Sequence, residues 1–86
     1  MSSPDFRAGI RYAHLRAGAR MAQAMATLAA DLLVVLLAAG NATSAAAEKD
    51  DLYRFRVDLG AMENAALSIA RRLTTMADRK GSATDD

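Results

Sequence analysis

Residues 52–76, LYRFRVDLGAMENAALSIARRLTTM, contain apolar residues that recur with a strict helical period. Steps of three and four residues alternate along this stretch without a break. The members of this repeat, here called the second predicted seam, are Leu52, Phe55, Leu59, Met62, Ala66, Ile69, Leu73 and Met76. A period of about 3.5 residues is typical of helices that pack side by side in a left-handed supercoil.

The first half of the chain carries a matching repeat. This first predicted seam consists of Gly18, Met21, Met25, Leu28, Leu32, Val35 and Ala39. Two helices with such seams, joined by a short connection, are expected to run antiparallel at a shallow crossing angle. The sequence therefore predicts an all-α fold, an antiparallel two-helix hairpin with coiled-coil-like seams.

Start and stop signals place the two helices along the chain. Pro4 suits the first position of a helix, and Gly40-Asn41 tolerates the left-handed backbone of a helix end. Thr43 or Ser44 can then cap the second helix. The predicted bounds are helix 1 at about 4–39, a loop at 40–43 and helix 2 at about 44–80, within one domain over 1–81 followed by a disordered tail over 82–86.

Composition indicates that one hairpin is not enough. The chain has 86 residues, of which 52% are hydrophobic but only 5% aromatic, and it has no cysteine. A domain this small is marginally stable alone, and without disulfides the remaining means of stabilisation is oligomerisation. Apolar residues such as Leu33, Leu36 and Val57 also lie off the two seams. We therefore expect a homodimeric four-helix bundle, with a second copy of the chain as the first partner.

The order of residues in the first half resembles a targeting signal in part. Arginines between residues 7 and 20 precede the apolar run 32–39, and small residues follow at 42–47. The basic part is too long for a signal peptide, and Asp31 adjoins the apolar run. The same Asp31 would cost about 2.5–3.5 kcal/mol near the middle of a membrane span. The prediction is a cytoplasmic protein, with secretion or membrane association as the alternatives.

Charge is distributed unevenly over the predicted hairpin. The loop end carries Asp31, Glu48, Asp50, Asp51 and Asp58. The open end is basic, and its candidate anion-binding or nucleotide-binding residues are Arg7, Arg11, Tyr12, His14, Arg16, Arg71, Arg72 and Arg79. Guanidinium groups bind phosphate in a bidentate manner, and an aromatic ring can stack on a base. The alternative is a solvated basic face whose exposed ion pairs contribute about 0–1 kcal/mol each.

Two classes of function follow from these patterns. No catalytic or metal-ligating constellation is present, so neither an enzyme nor a cofactor is expected. The first hypothesis is a small helical interaction protein, an adaptor, assembly factor or inhibitor that packs its helices with itself and with a protein partner. The alternative is a binding module for nucleic acid or for a small or cyclic nucleotide at the basic end, and a membrane-associated helix pair is the second alternative.

Overall fold

A computed structural model describes residues 4–79 and confirms the helical hairpin. Helix α1 spans Pro4–Ala42 and helix α2 spans Ala46–Asp78, and the two pack against each other along their length. The molecule is a rod of 64 × 18 × 16 Å with a radius of gyration of 19.2 Å. A compact chain of this length would have a radius of gyration of about 12 Å. The predicted tail at 82–86 and the predicted stop at Gly81 lie outside the described residues.

The loop between the helices differs from the prediction. α1 continues through Gly40-Asn41 to Ala42, and no described residue has a positive φ, so the predicted left-handed cap is wrong. Ala45 occupies the N-cap position of α2 without a side-chain cap. Thr43 orders the loop instead, since its Oγ1 donates to Glu48 Oε1 at 2.6 Å and accepts from the Ala45 N–H at 3.3 Å.

The open end of the hairpin is tied by a bond between the helices. Arg11 Nη2 donates to the Met76 carbonyl at 3.2 Å, which is one of the last carbonyls of α2. The Arg79 N–H also bonds to that carbonyl and to the Thr75 carbonyl. A helix leaves its final carbonyls without partners of its own, and a cation favours that end. Arg11 therefore holds the end of α2 against α1.

The core of the hairpin consists of alanine. Within the described part, the buried residues, here called the alanine seam, are Ala19, Ala22, Ala26, Ala29, Ala66, Ala70 and Ala77. They are spaced three and four residues apart on α1 and four and seven residues apart on α2, so the seams are coiled-coil-like in period. Alanine lets two helix backbones approach closely, but each removes little apolar surface from water. The hairpin is held by a narrow seam with no large side chain fully buried.

This packing corrects the predicted choice of the stripe by which each helix faces the other. The first predicted seam was expected to face α2, yet Met21, Met25 and Leu28 are 61–68% exposed. The members of the second predicted seam lie on two different sides of α2. The members Leu52, Leu59, Ala66 and Leu73 are buried or partly buried against α1, whereas Phe55, Met62, Ile69 and Met76 are 39–57% exposed. The residues that separate the helices are smaller than those the sequence favoured, because close packing selects alanine.

Candidate functional site

One long face of the hairpin is apolar and exposed. Its residues, here called the apolar face, are Met21, Met25, Leu28, Leu32 and Val35 on α1 and Phe55, Met62, Ile69 and Met76 on α2, and all are 39–68% exposed. On each helix they lie one position before the residues that face the other helix, as Met25 precedes Ala26 and Ile69 precedes Ala70. Successive helical residues differ by about 100° in direction. Because the two helices are antiparallel, a displacement of one residue in the same chain direction places the exposed residues of α1 and those of α2 on the same side of the hairpin.

The opposite face carries a cationic groove toward the open end. Its residues follow the alanine seam by one position, as Arg20 follows Ala19 and Arg71 follows Ala70. The cavity between the helices has a volume of about 430 Å³. Its lining, here called the arginine groove, consists of Arg16, Arg20, Gln23, Arg71, Thr74 and Thr75 over a floor of Ala19 and Ala70.

The arginine groove is chemically suited to an anion. Its lining includes three guanidinium groups and no carboxylate. Thr74 Oγ1 donates its proton to the Ala70 carbonyl at 2.9 Å, so the remaining donors are the arginines, the Gln23 amide and the Thr75 hydroxyl. None of the three arginines forms an ion pair with another described residue. Guanidinium forks match the oxygens of phosphate and carboxylate, so such a group would find several donors here.

The hairpin separates the other predicted binding residues. Tyr12 lines a different cavity of about 550 Å³ with Ala8, Gly9, Ala77 and Asp78.

His14 lies on the side of the apolar face, where its Nδ1 donates to the Ile10 carbonyl at 2.9 Å. Arg72 precedes Leu73 and lies on that side too. Arg7 and Arg79 are exposed near the helix ends. Of the eight predicted residues, Arg16 and Arg71 meet in the arginine groove.

Four polar residues of the arginine groove were not among the candidates predicted from the sequence. They are Arg20, Gln23, Thr74 and Thr75. The spacing of Arg16 and Arg20 is a signal that was present, because residues four apart share a helix face. Their proximity to Arg71 depends on the register of α1 against α2, which no single-helix pattern contains.

The face that carries the arginine groove also has an apolar cavity, near the loop end of the hairpin. It measures about 400 Å³ and is lined by Leu33, Val34, Leu37, Tyr53, Arg56 and Val57. The Arg56 guanidinium lies over the Tyr53 ring, 5.6 Å from its centroid. Such a cation–π contact holds the arginine side chain along the apolar surface. The groove between the helices therefore changes from cationic near the open end to apolar near the loop.

Further properties of the described residues bear on function. They contain no group of three or more His, Asp or Glu side chains placed to hold a metal ion. By length and composition alone, the Asp5–Ala42 helix is apolar enough to cross a membrane, a property that signal sequences and core helices of soluble proteins share. The chain matches no protein-family model, no curated protein and no solved structure.

Proposed function

We propose that this protein is a helical interaction protein that self-associates through the apolar face, so that two hairpins form a four-helix bundle. Such a bundle would act as an adaptor, assembly factor or inhibitor by helix packing with a protein partner. The observation that supports the proposal is the apolar face itself, nine large side chains on one side of a hairpin whose own core is alanine.

The energetics favour a second copy on this face. Burying one large apolar side chain contributes about 1.5–3 kcal/mol, and the hairpin fully buries none. The chain exposes 6456 Å², whereas a compact protein of its mass would expose about 4,900 Å². The elongated hairpin therefore leaves more surface accessible to a partner than a compact domain does. Packing one apolar face on another would supply the core that the single hairpin lacks.

The experiment is a measurement of molar mass by light scattering and sedimentation for the wild type and two matched variants. Leu28→Glu adds a charge to the apolar face, whereas Thr27→Glu adds the same charge to the preceding residue, which is exposed and points away from that face. We expect a wild-type dimer, a loss of at least tenfold in association for Leu28→Glu, and no change for Thr27→Glu.

Two outcomes contradict the proposal. One is a folded wild-type monomer at millimolar concentration, and the other is equal weakening by both variants. Vesicles of zwitterionic and anionic lipid are included as a separate arm. If the chain binds vesicles and does not self-associate in solution, the membrane-associated alternative replaces the bundle.

The arginine groove favours a second candidate function, the binding of a phosphate-bearing anion. The shared chemistry is phosphate, and the probes are pyrophosphate, a mononucleotide and single-stranded DNA. Binding should weaken steeply with salt, because guanidinium–phosphate contacts are electrostatic.

Arginine variants test whether the anion binds in the arginine groove. Arg16→Ala combined with Arg20→Ala should reduce affinity at least tenfold, whereas Arg54→Ala, an exposed arginine near the loop end, should leave it unchanged. If Arg54→Ala has the same effect, the binding is diffuse and the groove is not a site. If no probe binds at low salt, this second function is excluded.

A further inference from the structure

We infer that the second hairpin packs end over end on the first, about a twofold axis that crosses the apolar face at Ala65 of α2 and between Met25 and Leu28 of α1. The inference rests on the proposed self-association and specifies its geometry. Under this axis α1 lies over its symmetry mate, α2 lies over its own, and the open end of one hairpin meets the loop end of the other.

The pattern of α2 on this side is self-complementary. Asp58 lies seven residues before Ala65 and Arg72 lies seven residues after it. Both residues precede positions packed toward α1, Leu59 and Leu73, so both lie on the side of the apolar face. An antiparallel copy centred on Ala65 would bring each Asp58 opposite an Arg72, giving two ion pairs by symmetry.

The apolar residues of α2 follow the same symmetry. Met62 and Ile69 lie three and four residues from Ala65, and Phe55 and Met76 lie ten and eleven residues from it. Each large side chain therefore meets a large side chain of the copy. Ala65 has the small side chain that close approach at an axis requires.

The pattern of α1 has its own centre of symmetry. Met25 and Leu28 lie equally far from a midpoint between Ala26 and Thr27. Met21 and Leu32 are equidistant from that point as well. An antiparallel copy would therefore match each methionine with a leucine, and Gly18 would accommodate Val35 in the next layer.

The hairpin register brings the two centres to the same level. A Cβ on Gly18 would lie 3.1 Å from Leu73 Cδ1, which sets these residues side by side. Ala19 and Ala70 share the floor of one cavity, and Leu36 and Leu52 line another. These pairs show which residues of α1 and α2 lie at the same height along the hairpin. Counting residues from them places the α1 midpoint, between Ala26 and Thr27, within one helical turn, about 5 Å, of the height of Ala65. Both helices can therefore use one axis.

Charge selects this arrangement over the parallel alternative. Stacking with like ends together would bring the Arg72 side chains of the two hairpins toward the same end of the interface. Like charges in opposition disfavour association. End-over-end stacking instead sets each Arg72 at the level of Asp58 of the other hairpin. In either arrangement both arginine grooves lie on the outside of the bundle.

The test uses single cysteines, because the chain has none of its own. Ala65→Cys should form a covalent dimer on mild oxidation or with a short bis-maleimide, since the two thiols meet at the axis. Asn64→Cys, at the adjacent exposed residue, points about 100° away from Ala65 and should not form this dimer. Covalent dimers from Asn64→Cys alone, in a protein that is dimeric by light scattering, would overturn the register and leave self-association standing.

Charge reversal provides an independent test. Asp58→Arg and Arg72→Asp should each weaken dimerisation at least tenfold by opposing like charges. The double variant Asp58→Arg/Arg72→Asp should restore the wild-type dissociation constant to within about threefold, because the pairs re-form with reversed sign. Additive weakening in the double variant would overturn the register. A wild-type chain that is monomeric throughout would instead refute the proposed function on which the register rests.

Discussion

At the scale of single residues, the glycines inside the helices differ in what surrounds them. Gly18 lies where α1 approaches Leu73 closely, so a Cβ there would lie at 3.1 Å. Gly60 has no atom within 4 Å of an added Cβ. Glycine in a helix interior costs about 1 kcal/mol relative to alanine. Gly18 therefore has a packing reason within the hairpin, and Gly60 has none.

We predict that Gly60→Ala stabilises the protein. The expected gain in the free energy of unfolding is about 0.5–1 kcal/mol, a rise of roughly 4 °C in Tm for a domain of this size. Gly18→Ala should gain less or lose stability, because Leu73 must move. Thermal and urea unfolding of both variants measure the difference, and an equal gain at the two positions would refute this account.

A second residue-scale prediction concerns the loop. Thr43→Ala removes both the bond to Glu48 and the acceptor of the Ala45 N–H, which should cost about 1 kcal/mol. Thr43→Ser keeps the hydroxyl and should retain most of that stability. Urea unfolding and amide exchange in the first turn of α2 provide the measurement. Equal stability of the alanine and serine variants would show that the hydroxyl contributes nothing.

At the scale of the elements, each helix carries two neighbouring stripes that differ in side-chain size. On α1 the buried stripe runs through Ala22, Ala26 and Ala29, and the large residues lie one position earlier. Both stripes have the same period, and both could face a neighbouring helix. The alanine stripe allows the closer approach within the hairpin, which leaves the large side chains for a partner.

The alanine seam should not tolerate a larger side chain. Ala26 is 3% exposed, so Ala26→Leu should destabilise the protein by about 1–3 kcal/mol through overpacking. Ala24→Leu is the control, since Ala24 is exposed and the helix propensities of the two residues are close. Urea unfolding of both variants decides the point. A stable Ala26→Leu protein would mean that the hairpin packs through a different face.

At the scale of the whole molecule, the proposed bundle couples folding to association. Within the described residues, the single hairpin buries alanines and covers several leucines in part, and the large side chains of the apolar face would become buried only against a second copy. Stability should then depend on protein concentration, because mass action favours the associated native state.

We predict that Tm rises by several degrees when the protein concentration increases a hundredfold. The physical reason is that unfolding of a dimer releases two chains, and dilution favours the released state. Calorimetry or circular dichroism over that range measures the change. A Leu28→Glu variant that stays folded should lose the dependence. A wild-type Tm that is the same at all concentrations would contradict coupled folding and association.

The sequence alone predicts the two helices, their antiparallel pairing and a stripe of large apolar side chains along each helix. Alternating steps of three and four residues specify a helix, and a short connection between two helices leaves only the antiparallel arrangement. Tertiary structure alone decided which stripe faces inward and that Arg16, Arg20 and Arg71 share a groove. Two stripes offset by one residue have the same period, so periodicity cannot rank them. The ranking came from side-chain size, because two backbones can approach closely only where alanine separates them.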